Sequence, residues 1–314
     1  MTTDDPQPAA KGDSRYHRIL VAVDLGDSAP HALREARAIA SACNAELAMI
    51  HVLPDFVSLS TLHPDGYAGS LPAMEQYAAT ARSKIREWTQ RAESESNLEL
   101  KLERGAAATK IIEVAESWGA ELIVVGSHGH DEQASTLKGV LLGSVAKKVV
   151  HNAHCPVLVS RKGAIGQRVI AATDLSDPSL PAISAGAAEA RRRGARLEVV
   201  HVVDPAAAVY AASAGGLLGL TIALPPPEIQ AEVKLALLDT LQQAIHRLGA
   251  EGDAVVLYGD PAKAIVEHAS QRGPALIVVG THGRSGLRRI ALGSVADEVT
   301  RAAPCSVLVV RHQE

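Results

Sequence analysis

Three glycines and a serine near the carboxyl end of the chain have the types and spacing of a phosphate-binding loop. Gly280 ends a short apolar run, Gly283 follows after two residues, and Gly293 with Ser294 follows after nine more. Backbone N–H groups beside a helix N-terminus bind anions. The loop carries three arginines, Arg284, Arg288 and Arg289. An ordinary strand-to-helix turn is the simpler alternative, but the combination favours a phosphate site.

Composition excludes several classes of function. The 314 residues suffice for about two domains. Aromatic residues make up 3 % of the chain and the formal net charge is −4, so neither base stacking nor a basic surface supports nucleic acid as a ligand. Three scattered cysteines and a polar N-terminus without a hydrophobic signal core favour the cytoplasm. We expect no membrane span.

An internal repeat organises the chain. QRVIAATDLSDPS matches HRILVAVDLGDSA, and ALIVVGTHG matches ELIVVGSHG. Asp24 and Asp174 are 150 residues apart, whereas Gly126 and Gly280 are 154 apart. A period this long predicts two copies of one domain. We predict a disordered tail over 1–15, a first copy over 16–161, a linker over 162–167 and a second copy over 168–312.

Each copy alternates apolar strands with helical segments, in the order βαβαβαβαβ. This alternation predicts an α/β fold with a doubly wound parallel sheet in each copy. In the first copy we predict helices over about 30–43, 72–95, 110–118 and 143–152. In the second copy, an apolar stripe predicts a helix that covers the sheet; its members are Val233, Leu237, Leu241, Ile245 and Leu248.

Both copies resemble the universal stress protein (UspA) family. The resemblance rests on VAVDLGDS and AATDLSDPS after the first strand of each copy, on HV in the second strand, and on VVGTHGRSGLRRIALGSVADEV. The resemblance covers nearly the whole chain, and the arrangement of the two copies is similar to that of tandem members of the family. It implies five-stranded sheets of order 3-2-1-4-5 with helices on both faces. It also implies dimerisation through the final strands, so we expect an intrachain pseudo-dimer of the two copies and a homodimer.

The resemblance also implies an ATP site in the second copy, with ATP bound alone or with Mg²⁺. Thr173, Asp174 and the backbone of Val202 would hold the adenine end, and Arg284 would add charge at the loop. The implied ribose and phosphate end comprises Val279, Gly280, His282, Gly283, Gly293, Ser294 and Val295. Two simpler roles remain open, because Asp174 can serve as a turn residue or helix cap, and Ser294 as a helix cap.

The first copy departs from the loop pattern. Thirteen residues separate Gly129 from Gly143. This segment contains no arginine, but it contains the acidic residues Asp131 and Glu132. Carboxylates repel a triphosphate, so we predict that the first copy binds ATP weakly or not at all. A zinc site is a weaker alternative for this region; its candidate ligands are His128, His130, Asp131, His151, His154 and Cys155.

Three functional hypotheses follow. The first is an ATP-binding stress-response protein that senses nucleotide. The second is a nucleotide-independent interaction protein of the same fold. The third is a slow ATP hydrolase, for which no general base or other catalytic residue is identifiable in the sequence. An apolar insert over 205–227 is interrupted by glycines, and we interpret it as a lid or a partner surface in preference to a membrane helix.

Overall fold

The computed structural model describes residues 16–26, 28–53, 67–90, 98–127, 142–162, 166–205, 227–281 and 292–311. The predicted disordered tail, most of the apolar insert and most of both glycine loops lie outside these ranges. Both copies show the predicted order of alternating strands and helices.

The first copy contains β1 Arg18–Ala22, α1 Ala29–Cys43, β2 Glu46–Leu53, α2 Tyr67–Gln90, β3 Glu99–Arg104, α3 Ala107–Trp118, β4 Leu122–Gly126, α4 Ser144–Asn152 and β5 Val157–Ser160. The second contains β6 Arg168–Ala172, α5 Pro181–Arg193, β7 Arg196–Val203, α6 Pro227–Arg247, β8 Asp253–Tyr258, α7 Pro261–Arg272, β9 Leu276–Gly280, α8 Ser294–Ala302 and β10 Ser306–Val310. A short 3₁₀ turn, Asp177–Ser179, precedes α5.

The ten strands form one sheet in the order β3-β2-β1-β4-β5-β10-β9-β6-β7-β8. Each half has the expected order 3-2-1-4-5, and pairing within each half is parallel. The inner strands are continuous apolar runs because helices cover both of their faces. The α/β fold with two doubly wound halves is therefore confirmed, and the two halves share a single sheet.

The two halves meet at an antiparallel pair formed by the last strand of each copy, which we call the seam. Leu158 of β5 lies opposite Leu308 of β10, its equivalent at the offset of 150. An approximate two-fold axis therefore passes between these leucines. Because each closing strand takes the edge of the other, neither is left as an apolar sheet edge. The expected intrachain pseudo-dimer is present in the structure.

Two apolar layers lie on opposite faces of the sheet, and each extends through both copies. The layer under α1, α2, α5 and α6 includes Ile85 and Ile245, and the layer under α3, α4, α7 and α8 includes Val149 and Val299. Burial of this continuous apolar surface is the main term favouring the paired arrangement.

Two arginines reinforce the seam reciprocally. Arg161, which follows β5, donates from its guanidinium to the carbonyls of Thr300 and Arg301 at the end of α8. Its equivalent Arg311 donates to the carbonyls of Val150 and His151 at the end of α4. Each copy thus supplies the cation for the C-terminus of the other copy's last helix, where the helix dipole favours positive charge.

Three details differ from the sequence predictions. α2 begins at Tyr67 and not near Pro72, because proline is favoured in a first turn without being required to start a helix. α3 begins at Ala107, three residues before the predicted start. The predicted apolar stripe is buried at Leu241 and Ile245, but Val233 is exposed. Leu248 is also exposed and lies one residue beyond the end of α6. Among the described helices, none is long and apolar enough to cross a membrane.

Candidate functional site

The carboxyl ends of β6, β7 and β9 meet at the place where strand order reverses in the second copy. β6 lies between β7 and β9, and the chain leaves β6 and β9 toward helices on opposite faces of the sheet. Open α/β sheets bind ligands at this kind of crevice. Thr173 and Asp174 follow β6, while Val279 and Gly280 end β9, so both ends of the predicted site lie at the same sheet edge.

Asp174 organises the turn after β6. Its Oδ1 accepts hydrogen bonds from the backbone N–H of Ser176, at 3.0 Å, and from the Ser176 hydroxyl. Leu175 between them has φ 65°, which is rare for a bulky residue. The turn role considered for Asp174 is therefore observed, and it leaves a role toward a ligand open.

Thr173 is buried and anchored on several sides. Its hydroxyl lies 2.7 Å from that of Ser179 and accepts from the Leu175 backbone N–H at 3.0 Å. The Nδ1 of buried His201, on β7, lies 2.9 Å from the Thr173 carbonyl. These contacts hold the end of β6 against β7. This use of His201 was not predicted from the sequence. The available signal was the matching His51 in the first copy, whose Nδ1 lies 2.8 Å from the Val23 carbonyl.

The peptide groups of Val202 face the crevice. The neighbouring Val203 carbonyl accepts from Gly259 N–H on the outer side of β7, at 3.0 Å. Adjacent residues of a strand direct their peptide groups to opposite sides, so those of Val202 face the side of β6. Because β6 ends at Ala172, the strand does not extend to Val202. A backbone donor and acceptor at this position suit the edge of a heterocyclic base.

The N-terminus of α8 lies at the other end of the site. Gly293, and not Ser294, is the N-cap, with φ −60° and ψ 148°, so the alternative that Ser294 caps the helix is wrong. Gly293 has no side chain to cap the first turn, and Ser294 is an exposed first-turn residue. The Gly293 N–H donates to the Thr281 carbonyl at 2.8 Å, which brings the two ends of the glycine loop together. Val295 follows in the first turn.

The first copy has the same frame. Gly143 N–H donates to the Ser127 carbonyl at 2.8 Å, and Gly143 has the same φ and ψ as Gly293. The loop ends are thus joined identically, although the segment between them is four residues longer in the first copy. A cavity of about 320 Å³ lies there, lined by residues that include Asp24, His51, Gly126 and Ser144. Its volume is at the lower end of the range for small-ligand sites.

The described part of the predicted site therefore converges on one sheet edge. Its members are Thr173, Asp174, Val202, Val279, Gly280, Gly293, Ser294 and Val295. The remaining three, His282, Gly283 and Arg284, lie outside the described residues, as do the acidic residues of the first loop. The residues predicted for the two ends of the second site thus lie at one sheet edge, while their role in binding and the contrast between the two loops stay predictions from sequence.

The candidate zinc ligands of the first copy have other partners where they are described. His154 Nε2 lies 2.9 Å from the Ala120 carbonyl, and His151 Nε2 lies 3.0 Å from an Asp297 oxygen. Burial raises the pKa of the Cys155 thiol to about 12, which disfavours the thiolate that zinc binds. Within the described ranges, no group of three potential ligand residues is placed to hold a metal. His128, His130 and Asp131 lie outside them.

Comparison with known proteins gives matches along both copies. The model of the Universal stress protein family matches residues 15–161 and again 166–311. A universal stress protein of Mycolicibacterium smegmatis is 29 % identical over 311 residues, covering 93 % of this chain and 96 % of that protein. Universal stress protein YxiE of Bacillus subtilis is 34 % identical over 150 residues, covering 46 % of this chain and 98 % of YxiE.

A solved structure shares the tandem arrangement. The crystal structure of a universal stress protein from Archaeoglobus fulgidus superposes with a TM-score of 0.64, covering 96 % of this chain and 98 % of the other. The two sequences are 19 % identical, so this similarity concerns the fold.

Proposed function

The chain belongs to the universal stress protein family, and from that membership we propose that its second copy binds ATP as part of a stress response. The observation that carries the proposal is the meeting of two features at one sheet edge. The Val202 peptide groups face the crevice beside Asp174, and the glycine-capped N-terminus of α8 lies at the end of β9. One end suits a base and the other suits phosphates.

The residues present fit the nucleotide. Thr173, Asp174 and Val202 would hold the adenine end. Gly280, Gly293 and Ser294 would hold the phosphates, with His282, Gly283 and Arg284 in the intervening loop. Mg²⁺, when bound with ATP, would neutralise part of the phosphate charge.

The proposed role is sensing and not dedicated catalysis. ATP occupancy would change the surface that the second copy offers to partners, and would thereby shift the population of partner complexes. The three cysteines are free and buried, which suits the reducing cytoplasm proposed as the site of action. Identical hydrogen-exchange protection with and without ATP would contradict this sensing mechanism.

The sharpest test adds a negative charge where the phosphates would bind. Ser294→Asp places a carboxylate in the first turn of α8, where the helix dipole tolerates or favours it. We expect ATP affinity to fall at least about tenfold through charge repulsion, with an unchanged or slightly raised melting temperature. Ser144→Asp makes the same change at the equivalent position of α4 and is the matched control. Calorimetric titration and thermal unfolding measure both effects.

Two results would count against the proposal, and a third against the predicted difference between the copies. Equal affinities of wild type and Ser294→Asp would place the phosphates elsewhere. A stoichiometry near two ATP per chain, with Ser144→Asp removing one of them, would overturn the predicted weakness of the first copy. If wild type binds no ATP, and mass spectrometry finds no adenine nucleotide released on denaturation, the nucleotide-independent interaction protein becomes the better hypothesis.

A further inference from the structure

The first turn of α8 is contacted by side chains of the other copy. Asp297, in that turn, has an oxygen 3.0 Å from His151 Nε2 and 3.9 Å from Lys147 Nζ. Both partners project from α4 across the seam. Asp297 and His151 are each about three-quarters buried, with side-chain exposures of 27 % and 28 %, so solvent only partly screens their contact. Lys147 is 55 % exposed, and its contact is screened more.

Asp297 is placed to influence an anion at the start of the same helix. It follows Ser294 by three residues, which corresponds to about 4.5 Å along the helix axis. A carboxylate in a first turn interacts favourably with the helix dipole. It therefore competes with an anionic ligand for that end of the helix and also repels it. Positive or hydrogen-donating groups that bind this carboxylate reduce both effects.

The contact has no counterpart at the start of α4. At the offset of 150, the equivalent of Asp297 in the first copy is Lys147, and the equivalent of His151 in the second copy is Arg301. The seam therefore brings an acidic residue of the second copy against basic residues of the first, and the reciprocal position holds two basic residues. Of the two helices, only α8, the helix of the proposed ATP site, has a first-turn carboxylate whose negative charge must be offset; α4 has a lysine at that position.

We propose that Lys147 and His151 of the first copy are positioning residues for the anion site of the second copy. By binding the Asp297 carboxylate, they turn it toward α4 and compensate its charge, so that the N-terminus of α8 favours an anionic ligand. This inference rests on the proposed ATP site. It assigns the first copy, whose own loop lacks arginines, a part in nucleotide affinity at the other copy.

The test uses the full-length chain with two ligands that differ in charge. In Lys147→Ala/His151→Ala we expect ATP affinity to fall about five- to tenfold, because the carboxylate is no longer compensated. Affinity for adenosine, which has no phosphate, should stay within about twofold. Asp297→Asn should bind ATP more tightly than wild type. In the Asp297→Asn background, Lys147→Ala/His151→Ala should no longer lower ATP affinity, because the carboxylate that these residues compensate is gone.

Lys148→Ala is the matched control, because it removes a charge from the same helix at an exposed position and should leave both affinities unchanged. Equal weakening of ATP and adenosine binding would show a general structural effect and overturn the inference. So would persistence of the loss in the Asp297→Asn background. Wild-type affinity in the double variant would overturn the inference and leave the ATP site intact, whereas absence of ATP binding in wild type would refute the site itself.

Discussion

At the scale of residues, the aspartate after the first strand has the same structural role in both copies. Asp24 and Asp174 both follow the first strand of their copy, and in both the Oδ1 accepts a backbone N–H two residues later, from Gly26 and Ser176 respectively. The sequence offered a turn role and a ligand role for Asp174. The turn role is common to both copies. A ligand role of Asp174 would therefore appear as a loss of ATP affinity on its substitution that substitution of Asp24 does not cause.

Parallel substitutions separate these roles. We expect Asp24→Ala and Asp174→Ala each to lower the free energy of unfolding by about 1 kcal/mol, because each loses a turn hydrogen bond. Only Asp174→Ala should weaken ATP binding, by about tenfold or more. Urea unfolding and calorimetric titration measure the two effects. If Asp174→Ala keeps wild-type affinity, Asp174 serves the turn alone.

At the scale of elements, burial depends on how far each helix overlaps the sheet. The stripe on α6 correctly identified the inward face, since Leu241 and Ile245 are fully buried. Val233 belongs to the same stripe but is 45 % exposed, and Leu248, 38 % exposed, lies beyond the end of the helix. Periodicity in a helix reports which side faces the core. It does not report where the sheet beneath the helix ends, which depends on strand length and helix placement.

A buried charge on β7 distinguishes the two halves of the sheet. Glu198 is 3 % exposed, and its carboxylate binds Arg168 and His268, the latter at 2.9 Å. At the equivalent positions the first copy has buried Ala48 and half-buried Val114. The same backbone arrangement thus accepts either a hydrogen-bonded polar pair or an apolar pair between the strand and its covering helix.

This difference gives a stability prediction. Glu198→Ala alone should lower the free energy of unfolding by about 3 kcal/mol, because it leaves buried polar partners behind. Glu198→Ala/His268→Val installs the pair used by the first copy, and we expect it to recover at least about half of that loss. Urea unfolding of wild type, both single variants and the double variant gives the coupling energy. If the losses in free energy of unfolding of the two single variants simply add in the double variant, the second copy does not accept the apolar pair of the first copy.

At the scale of the whole molecule, the seam makes one structure of two copies. Ser160, Ser306 and Arg193 all donate to the Glu35 carboxylate on one face of the sheet. The reciprocal arginines bind the C-termini of α8 and α4, which cover the opposite face. Because β5 and β10 pair with each other, neither has a free edge for pairing with a second chain. The homodimer expected from the family resemblance would therefore need a surface other than these strands.

Unfolding should consequently be cooperative across both copies. We expect a single calorimetric transition with a van't Hoff enthalpy close to the calorimetric enthalpy. Asp24→Ala and Asp174→Ala, one in each copy, should lower the midpoint of that same transition. Two resolved transitions, each shifted by only one of the variants, would show that the copies unfold independently and that the seam contributes little.

The sequence by itself determined the repeat, the alternation of strands and helices, and the strand ends at which the site residues lie. These features follow from local periodicity and from side chains near one another in the chain. Pairing through the closing strands was expected from the family resemblance. Only the tertiary structure decided the antiparallel register of β5 and β10, that Arg161 reaches the end of α8, and that His151 meets Asp297, 146 residues away. Such contacts depend on how two separate surfaces pack, and no local pattern encodes that geometry.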